Sequence, residues 1–273
     1  MAIRLIALDL DGTLLNSQKQ ISKETLETLS EAAQKGILIV PCTGRLYKTV
    51  PEAVKCLPFV RYMITVNGAR IYDHQKGTVL YQEEIPIEVA EHLYDYIETL
   101  PAVFDCYQDN EMWINKEFYD RAEELFEDDK TVKLIRMRKP VENFRQVIRE
   151  RNKSLEKIMM FFYDEERRLE EWNRISVKFP MCSVVCSREN NLEISAVKAT
   201  KGEGLKCLCS YLGINLNECM ALGDQSNDLS MLKLAGISVA MGNAKEEVKN
   251  VADWVTTSND LDGVAMAIRR YRL

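Results

Sequence analysis

Short, mostly apolar segments of strand length recur along the chain, and helical patterns separate them. In the first ninety residues they cover 3–8, 37–40 and 62–66, and near the end they cover 219–222 and 237–241. An apolar run without alternation is typical of a strand that is buried on both faces of a parallel sheet. Repeated strand–helix–strand units require right-handed crossovers. The chain is therefore predicted to form an α/β fold, with a Rossmann-like, doubly wound parallel sheet as its core.

Residues 85–195 follow a different pattern from the segments on either side. They contain more aromatic and charged residues, and helical patterns alternate there with short strands that can pair, such as 103–107 with 112–114. A chain of 273 residues is long enough for two modest domains. We therefore predict a core formed by residues 1–84 and 196–273, split by an inserted α+β domain at 85–195.

The composition argues against several functional classes. Acidic residues outnumber basic ones by 42 to 36, whereas nucleic-acid-binding proteins usually carry a basic surplus. No segment approaches the ~18 apolar residues of a membrane helix, and the apolar start runs directly into Asp9 and Asp11, unlike a signal peptide. The eight cysteines are scattered among apolar residues, as reduced structural thiols are. We expect a cytoplasmic protein without nucleic-acid or membrane partners, either a monomer or a weak homodimer.

Two aspartates follow the first apolar segment. Asp9 ends a strand that is otherwise nearly apolar, where an unpaired buried carboxylate would be costly. Residues two apart on an extended chain point the same way, so Asp9 and Asp11 should converge beyond the end of the strand. Gly12 then allows a sharp turn. An Asx turn is the simpler interpretation of one Asp-Gly pair, but the second carboxylate favours a cation site.

Other polar residues stand next to predicted strands and helices. Thr43 and Gly44 come after the second strand, and a hydroxyl with N–H groups in a glycine turn suits a phosphate oxygen. Thr200 and Glu203 have the spacing of a capping box, which places Lys201 in the first turn of a helix. A cation there opposes the helix dipole by roughly 0.3–1 kcal/mol. Lys201 is therefore predicted either to meet an anion or to be simply solvated.

The fourth segment follows the strand at 219–222. Asp224 repeats the pattern of Asp9, and Asn227 and Asp228 lie at the start of the next helix. In an open parallel sheet, ligands bind beyond the carboxyl ends of the strands, where the strand order reverses. Carboxylates gathered at that edge fit Mg²⁺. A metal together with a lysine and N–H donors is typical of a phosphoryl-transfer site.

These segments, taken in order, resemble the four motifs of the haloacid dehalogenase-like phosphatases. The matching stretches are Asp9-Leu10-Asp11-Gly12-Thr13, Thr43-Gly44-Arg45, Lys201-Gly202, and Gly223-Asp224 with Asn227-Asp228. Asn67-Gly68-Ala69 and the position of the insertion resemble the Cof-type branch of sugar phosphatases, subfamily IIB. The resemblance covers nearly the whole chain. It implies an enzyme that hydrolyses phosphomonoesters, with the inserted domain as a cap for substrate specificity.

The resemblance also implies a role for each matching residue. Asp9 would be the nucleophile that forms an aspartyl-phosphate, and Asp11 would be the general acid and base. Mg²⁺ would contact the Asp9 carboxylate, the Asp11 backbone carbonyl and Asp224, with Asp228 supporting the site. Arg45 could contact the substrate, a small phosphorylated metabolite such as a sugar phosphate. The residues implied to bind the phosphate are Leu10 through its N–H group, Thr43, Gly44, Lys201 and Asn227.

Two other functions would use the same residues. A phosphomutase or another phosphotransferase would form the same aspartyl-phosphate and return the phosphoryl group to a substrate. A non-enzymatic phosphate-sensing module, such as a phospho-receiver domain, would be shorter and would not need a second acid two residues after the first. The chain departs from the family pattern at Gln225-Ser226 and at 195–197. Neither departure replaces a predicted ligand, but the first could alter the contacts behind the metal ligands and the second the hinge.

Polar and aromatic side chains of the insertion could line a sugar pocket or could simply lie on a solvated surface. The solvated surface is the preferred interpretation for each. The residues in question are Tyr107, Trp113, Tyr119, Arg136 and Arg138.

Overall fold

A computed structural model describes residues 2–186 and 190–273 of the chain. It has two compact units. The core unit contains the chain up to Gln82 together with Ala199–Leu273, and the inserted unit contains Glu83–Lys198. No helix in the described ranges is long and apolar enough to cross a membrane. The predicted fold class, an α/β fold with a parallel sheet and an inserted α+β segment, is confirmed.

The elements are numbered along the chain. The strands are β1 (Leu5–Leu8), β2 (Leu38–Pro41), β3 (Tyr62–Thr65), β4 (Arg70–Asp73), β5 (Thr78–Gln82), β6 (Ala102–Gln108), β7 (Glu111–Asn115), β8 (Lys139–Val141), β9 (Lys157–Phe162), β10 (Cys182–Val185), β11 (Asn191–Ala196), β12 (Cys219–Gly223), β13 (Ile237–Ala240) and β14 (Trp254–Val255). The helices are α1 (Lys23–Gln34), α2 (Glu52–Lys55), α3 (Ile87–Ile97), α4 (Lys116–Asp120), α5 (Ala122–Leu125), α6 (Asp129–Arg136), α7 (Phe144–Arg151), α8 (Glu165–Lys178), α9 (Lys201–Leu212), α10 (Leu229–Leu232), α11 (Glu246–Lys249) and α12 (Gly263–Arg270).

The core unit is built on a five-stranded parallel sheet with the order β14-β13-β12-β1-β2. In this sheet Leu5 of β1 is paired with Cys219 on one side and with Leu38 on the other. All four residues of β1 are buried, which explains why the strand is apolar without alternation. The strand order reverses at β1, because its two neighbours come from opposite ends of the chain. The carboxyl ends of β1, β2 and β12 therefore meet at one edge.

The predicted strand at 62–66 differs from a full member of this sheet. It forms β3, which pairs antiparallel with β4 in a separate sheet with the order β3-β4-β5. Toward β2 there are only isolated parallel bridges, such as the one between Cys42 and Ile64. The reason is a tight reversal after Thr65, where Val66 and Asn67 adopt φ angles of 48° and 55°. This reversal returns the chain beside β3.

The inserted unit has a six-stranded sheet with the order β10-β11-β9-β6-β7-β8. Its strands are antiparallel except for β7 and β8, and the predicted pairing of 103–107 with 112–114 forms the β6–β7 hairpin. Alternate residues of β6, such as Phe104, pack into an apolar core with helices α3, α7 and α8. Asp105 alternates with them and forms a buried ion pair with Arg138, at 2.5 Å. Arg138 is therefore part of the internal structure of this unit.

Candidate active site

Three polar segments of the core unit stand at the carboxyl ends of neighbouring strands. Asp9 follows β1, Thr43 lies two residues after β2, and Asp224 follows β12. A fourth segment is the start of α9, whose first residue is Lys201. The crossover topology brings these side chains together although they are far apart in the sequence, as the parallel-sheet prediction requires.

The ammonium group of Lys201 lies between two aspartates. Its Nζ atom is 2.5 Å from Oδ1 of Asp9 and 2.6 Å from Oδ1 of Asp228, and the side chain is fully buried. Burial alone would lower the pKa of Lys201, but the two carboxylates raise it above its ordinary value. The ammonium therefore stays charged. The two carboxylates offset the unfavourable position of a cation in the first turn of α9. The alternative prediction, that Lys201 is simply solvated, is wrong.

Thr200 caps the helix that positions this lysine. Its hydroxyl accepts a hydrogen bond from the N–H group of Glu203, at 3.2 Å. The carboxylate of Glu203 accepts instead from Lys206, at 3.2 Å. The predicted N-cap is therefore present, but the Glu203 carboxylate is directed along the helix and not back to the cap as a capping box requires.

Asp228 connects Lys201 to the loop that follows β12. Its Oδ1 atom accepts from Lys201, and its Oδ2 atom accepts from the N–H groups of Asp224 and Gln225, both at 2.9 Å. The side chain is completely buried. Because both oxygens are occupied by donors of the chain, Asp228 holds the loop and the lysine in place.

Asp224 is oriented from both sides. The hydroxyl of Thr13 donates to its Oδ1 atom at 3.0 Å, and the amide of Gln225 donates to its Oδ2 atom at 3.1 Å. Gly12 turns with φ +90°, and a Cβ atom there would lie 2.4 Å from Oδ2 of Asp224. Only glycine allows this close approach. Gln225, one of the departures from the family pattern, thus directly orients the carboxylate of its neighbour.

Asp9, Asp224 and Asp228 form a buried acidic cluster, with one carboxylate oxygen of each lying within 4.8 Å of the others. Among the residues that the structure describes, one ammonium group, that of Lys201, forms ion pairs in this cluster, so the cluster carries excess negative charge. Burial, together with the charges of Asp228 and Asp224, raises the pKa of Asp9 in spite of Lys201. Burial and the charge of Asp228 raise the pKa of Asp224 to about 6. Oxygen ligands with excess negative charge fit a hard divalent cation.

The acidic cluster predicts a pH-dependent stability in the absence of metal. The pKa of Asp224 is raised to about 6 in the folded protein. The stability that its proton provides is therefore complete below about pH 4 and is lost as the pH rises through 6. In EDTA, we expect a lower Tm at pH 8 than at pH 5.5, and added Mg²⁺ should raise the Tm more at pH 8. Thermal unfolding measures this, and an equal or higher Tm at pH 8 in EDTA would contradict the electrostatic interpretation.

Asp11 lies outside the acidic cluster and has its own partners. Nε and Nη2 of Arg45 donate to its two oxygens, at 2.6 and 2.8 Å, and Nζ of Lys19 lies 2.8 Å from Oδ1. Burial would raise the pKa of Asp11, but the hydrogen bonds and charges of Arg45 and Lys19 lower it to about 2. The carboxylate is therefore held in its anionic form. Lys19 was not predicted, because nothing local to residues 17–20 indicates an ion pair.

An asparagine bridge connects the remaining polar residues. The amide of Asn227 donates to Oδ1 of Asn67, at 2.9 Å. A Cβ atom on Gly44 would lie 2.9 Å from the same Oδ1 atom, so a larger residue there would displace the Asn67 side chain. The hydroxyl of Thr43 accepts from the N–H group of Arg45, at 3.2 Å. Asn67, which the sequence marked only through a family resemblance, thus joins the second and fourth polar segments.

Comparison with known proteins identifies the wider group. A family model for haloacid dehalogenase-like hydrolases matches residues 6–268. The phosphatase YwpJ of Bacillus subtilis is 33% identical, with 96% of this chain and 98% of that protein covered. The 5-amino-6-(5-phospho-D-ribitylamino)uracil phosphatase YcsE of the same organism is 31% identical, with 99% and 96% covered.

Solved structures match over nearly the same length. A haloacid dehalogenase-like hydrolase from Bacteroides thetaiotaomicron has a TM-score of 0.83 and 30% identity, with 98% of this chain and 99% of that chain covered. A subclass IIB sugar phosphatase of the same superfamily has a TM-score of 0.81 and 27% identity, with 98% of both chains covered. The resemblance to the subfamily IIB branch, stated from the motifs, is confirmed.

Proposed function

This chain belongs to the haloacid dehalogenase-like hydrolases and is a phosphatase of that family, and we propose that it hydrolyses small phosphomonoesters with Mg²⁺ through an aspartyl-phosphate on Asp9. The observation that carries the proposal is the buried cluster in which Lys201 bridges Asp9 and Asp228 beside Asp224. Lys201 balances one of the three carboxylates, so a bound divalent cation would balance the other two. Sugar phosphates or similar metabolites are the proposed substrates.

The donor set fits the proposed metal. The residues that would hold Mg²⁺ are Asp9 and Asp224 through their carboxylates and Asp11 through its backbone carbonyl, with Asp228 as support. When bound, the cation would neutralise the carboxylates and polarise a phosphoryl oxygen. Thr13 and Gln225 already hold Asp224 in one orientation, so the ligands are arranged in advance.

The proposed reaction has two steps, and Asp9 and Asp11 act in both. In the first, an oxygen of Asp9 forms a bond to phosphorus, the ester bond breaks, and the leaving alkoxide takes a proton from Asp11. Asp11 has to take up this proton when the substrate binds, because Arg45 and Lys19 hold its carboxylate as the anion in the free protein. In the second, Asp11 accepts a proton from water, whose oxygen attacks phosphorus and releases phosphate and free Asp9. Lys201 orients the attacking carboxylate, since its Nζ atom holds Oδ1 of Asp9 at 2.5 Å.

The phosphoryl oxygens would be held by the polar residues around Asp9. We assign this role to the Leu10 and Gly44 N–H groups, the Thr43 hydroxyl, the Asn227 amide and Lys201. The Asn67–Asn227 hydrogen bond supports this assignment, because it fixes the amide of Asn227 next to Gly44. Donors that are already oriented stabilise developing charge without reorganisation.

The choice of leaving group is proposed to lie largely with the inserted unit. Apart from Arg45, the motif residues are assigned only to metal and phosphate, so they do not distinguish one small metabolite from another. We propose that residues 85–195 act as a cap that selects the substrate and excludes water. The expectations of a cytoplasmic location and of a monomer or weak homodimer stay predictions.

A screen of phosphorylated metabolites tests the proposed function. We expect the purified protein to release phosphate from some of them in Mg²⁺, with Asp9→Asn protein as the blank for contaminating phosphatases. EDTA should remove the activity, and Mg²⁺ in excess should restore it, because the carboxylates repel each other and the substrate without the cation. Phosphate release that is unchanged by EDTA would contradict the proposed metal dependence.

A further inference from the structure

Lys19 and Arg45 contact the same carboxylate. Lys19 Nζ is 2.8 Å from Oδ1 of Asp11, and Arg45 donates to both oxygens of Asp11 at 2.6 and 2.8 Å. Two cations thus share one anion. Their side chains are 60% and 30% exposed, so both reach the solvent from the core unit. The group of three residues carries one excess positive charge.

Several hydrogen bonds define the conformation of the turn that carries Lys19. Lys19 adopts φ 61°, a left-handed conformation that a lysine rarely takes, and its N–H group donates to the carbonyl of Asn16 at 2.9 Å. The side chain of Asn16 accepts from the N–H group of Gln20, also at 2.9 Å. Ser17 donates to both carboxylate oxygens of Asp260, at 2.8 and 2.6 Å. This turn presents Lys19 to Asp11 in a defined position.

Both cations have N–H groups that these contacts do not use. Three of the five N–H groups of Arg45 are used, two by Asp11 and one by the carbonyl of Thr49 at 3.1 Å. Lys19 uses one of three. Two donors on each side chain therefore have no partner within residues 2–186 and 190–273. Solvent-facing donors with excess positive charge are suited to a ligand anion.

The position of Asp11 indicates which part of a substrate would meet these donors. If Asp11 protonates the leaving oxygen, as proposed above, its carboxylate lies beside that oxygen during the reaction. Groups that contact Asp11 directly then lie next to the first carbon atoms of the leaving group. The transferred phosphoryl group is assigned to other donors, around Asp9.

We infer that Lys19 and Arg45 form a subsite for an anionic substituent, such as a carboxylate, carried on the leaving group close to the ester oxygen. The inference rests on the proposed function and narrows its substrate class to phosphomonoesters with a second negative charge. Arg45 was expected near the substrate from its motif, whereas the role of Lys19 comes from the geometry alone.

Two matched probes test this subsite. In 2-phosphoglycerate a carboxylate replaces one hydroxymethyl group of glycerol 2-phosphate, and the two esters are otherwise alike. We expect kcat/KM to be higher for 2-phosphoglycerate, and the ratio of the two values to fall about fivefold to tenfold in Lys19→Met. Lys19→Arg should restore most of the ratio. Lys23→Met, which removes an 87% exposed lysine of the same segment, should leave the ratio unchanged.

Other outcomes are distinguishable. A wild-type ratio near one, or an equal loss for both esters in Lys19→Met, would overturn the subsite, because Lys19 would then act only through Asp11 or on the transferred phosphate. A fivefold to tenfold rise in the inhibition constant of inorganic phosphate in Lys19→Met would also overturn the subsite, because Lys19 would then bind the transferred phosphate. Absence of phosphate release from these esters and from p-nitrophenyl phosphate would instead contradict the proposed function itself.

Discussion

Asp9→Asn is expected to reduce phosphate release to less than about a hundredth of the wild-type rate, because it removes the attacking carboxylate. The asparagine side chain has an oxygen that can accept the hydrogen bond that Lys201 Nζ donates to Asp9 at 2.5 Å. The fold should therefore be retained. The substitution also removes one of three charges from the acidic cluster. In EDTA the variant should therefore melt at or above the wild-type Tm.

Steady-state kinetics and thermal unfolding together check this prediction. Asp120→Asn is a suitable control, because Asp120 is a half-exposed carboxylate in the inserted unit that pairs with the surface residue Lys116. It should keep wild-type kinetics. Activity of Asp9→Asn above about a hundredth of wild type would mean that another group is the nucleophile.

Asp11→Asn is expected to lower kcat for an alkyl phosphate by roughly 10²–10⁴, the usual contribution of a general acid or base. The loss should be smaller in the first step for p-nitrophenyl phosphate, because nitrophenolate leaves without a proton. Hydrolysis of the aspartyl-phosphate still needs a base, so this variant should release a burst of nitrophenolate and then turn over slowly. Stopped-flow absorbance measures the burst. An equal loss in the first step for both esters would contradict the role of Asp11 at the leaving group.

Much of the site followed from the sequence, because its main signals are local. A carboxylate at the end of an apolar strand is conspicuous, and Asp9 and Asp224 both have this signature. Lys201 was marked by its unfavourable place near a helix N-terminus, although the sequence left open whether it was solvated. The structure decided the question, since two buried aspartates neutralise it.

The contacts that were missed depend on long-range geometry. Asn67 and Asn227 are 160 residues apart, and the hydrogen bond between them depends on a left-handed turn after β3. Lys19 reaches Asp11 from a turn that Asp260, near the other end of the chain, helps to hold at Ser17. The strand at 62–66 was assigned to the parallel sheet because its apolar run resembles a buried parallel strand, and the reversal after Thr65 was not recognised.

Two arginines of the inserted unit show that a charged residue in a sequence need not be a substrate ligand. Arg138 is buried against Asp105 at 2.5 Å and donates to the hydroxyl of Tyr107 at 3.1 Å. Arg136 forms an ion pair with Glu123. Each of these partners comes from the inserted unit itself. The predicted solvated surface is wrong for Arg138, because its side chain is buried. An ion pair of this kind satisfies buried charges and does not by itself indicate a substrate site.

The most direct test of the account is the detection of a phosphoryl group on Asp9. Asp11→Asn protein would be mixed with p-nitrophenyl phosphate and Mg²⁺, quenched in acid during the slow phase, and analysed by peptide mass spectrometry. We expect phosphorylation of the peptide that contains Asp9, at a level comparable to the nitrophenolate burst, and none in the Asp9→Asn, Asp11→Asn double variant. A burst without phosphorylated Asp9, or with the phosphoryl group on another residue, would contradict the mechanism.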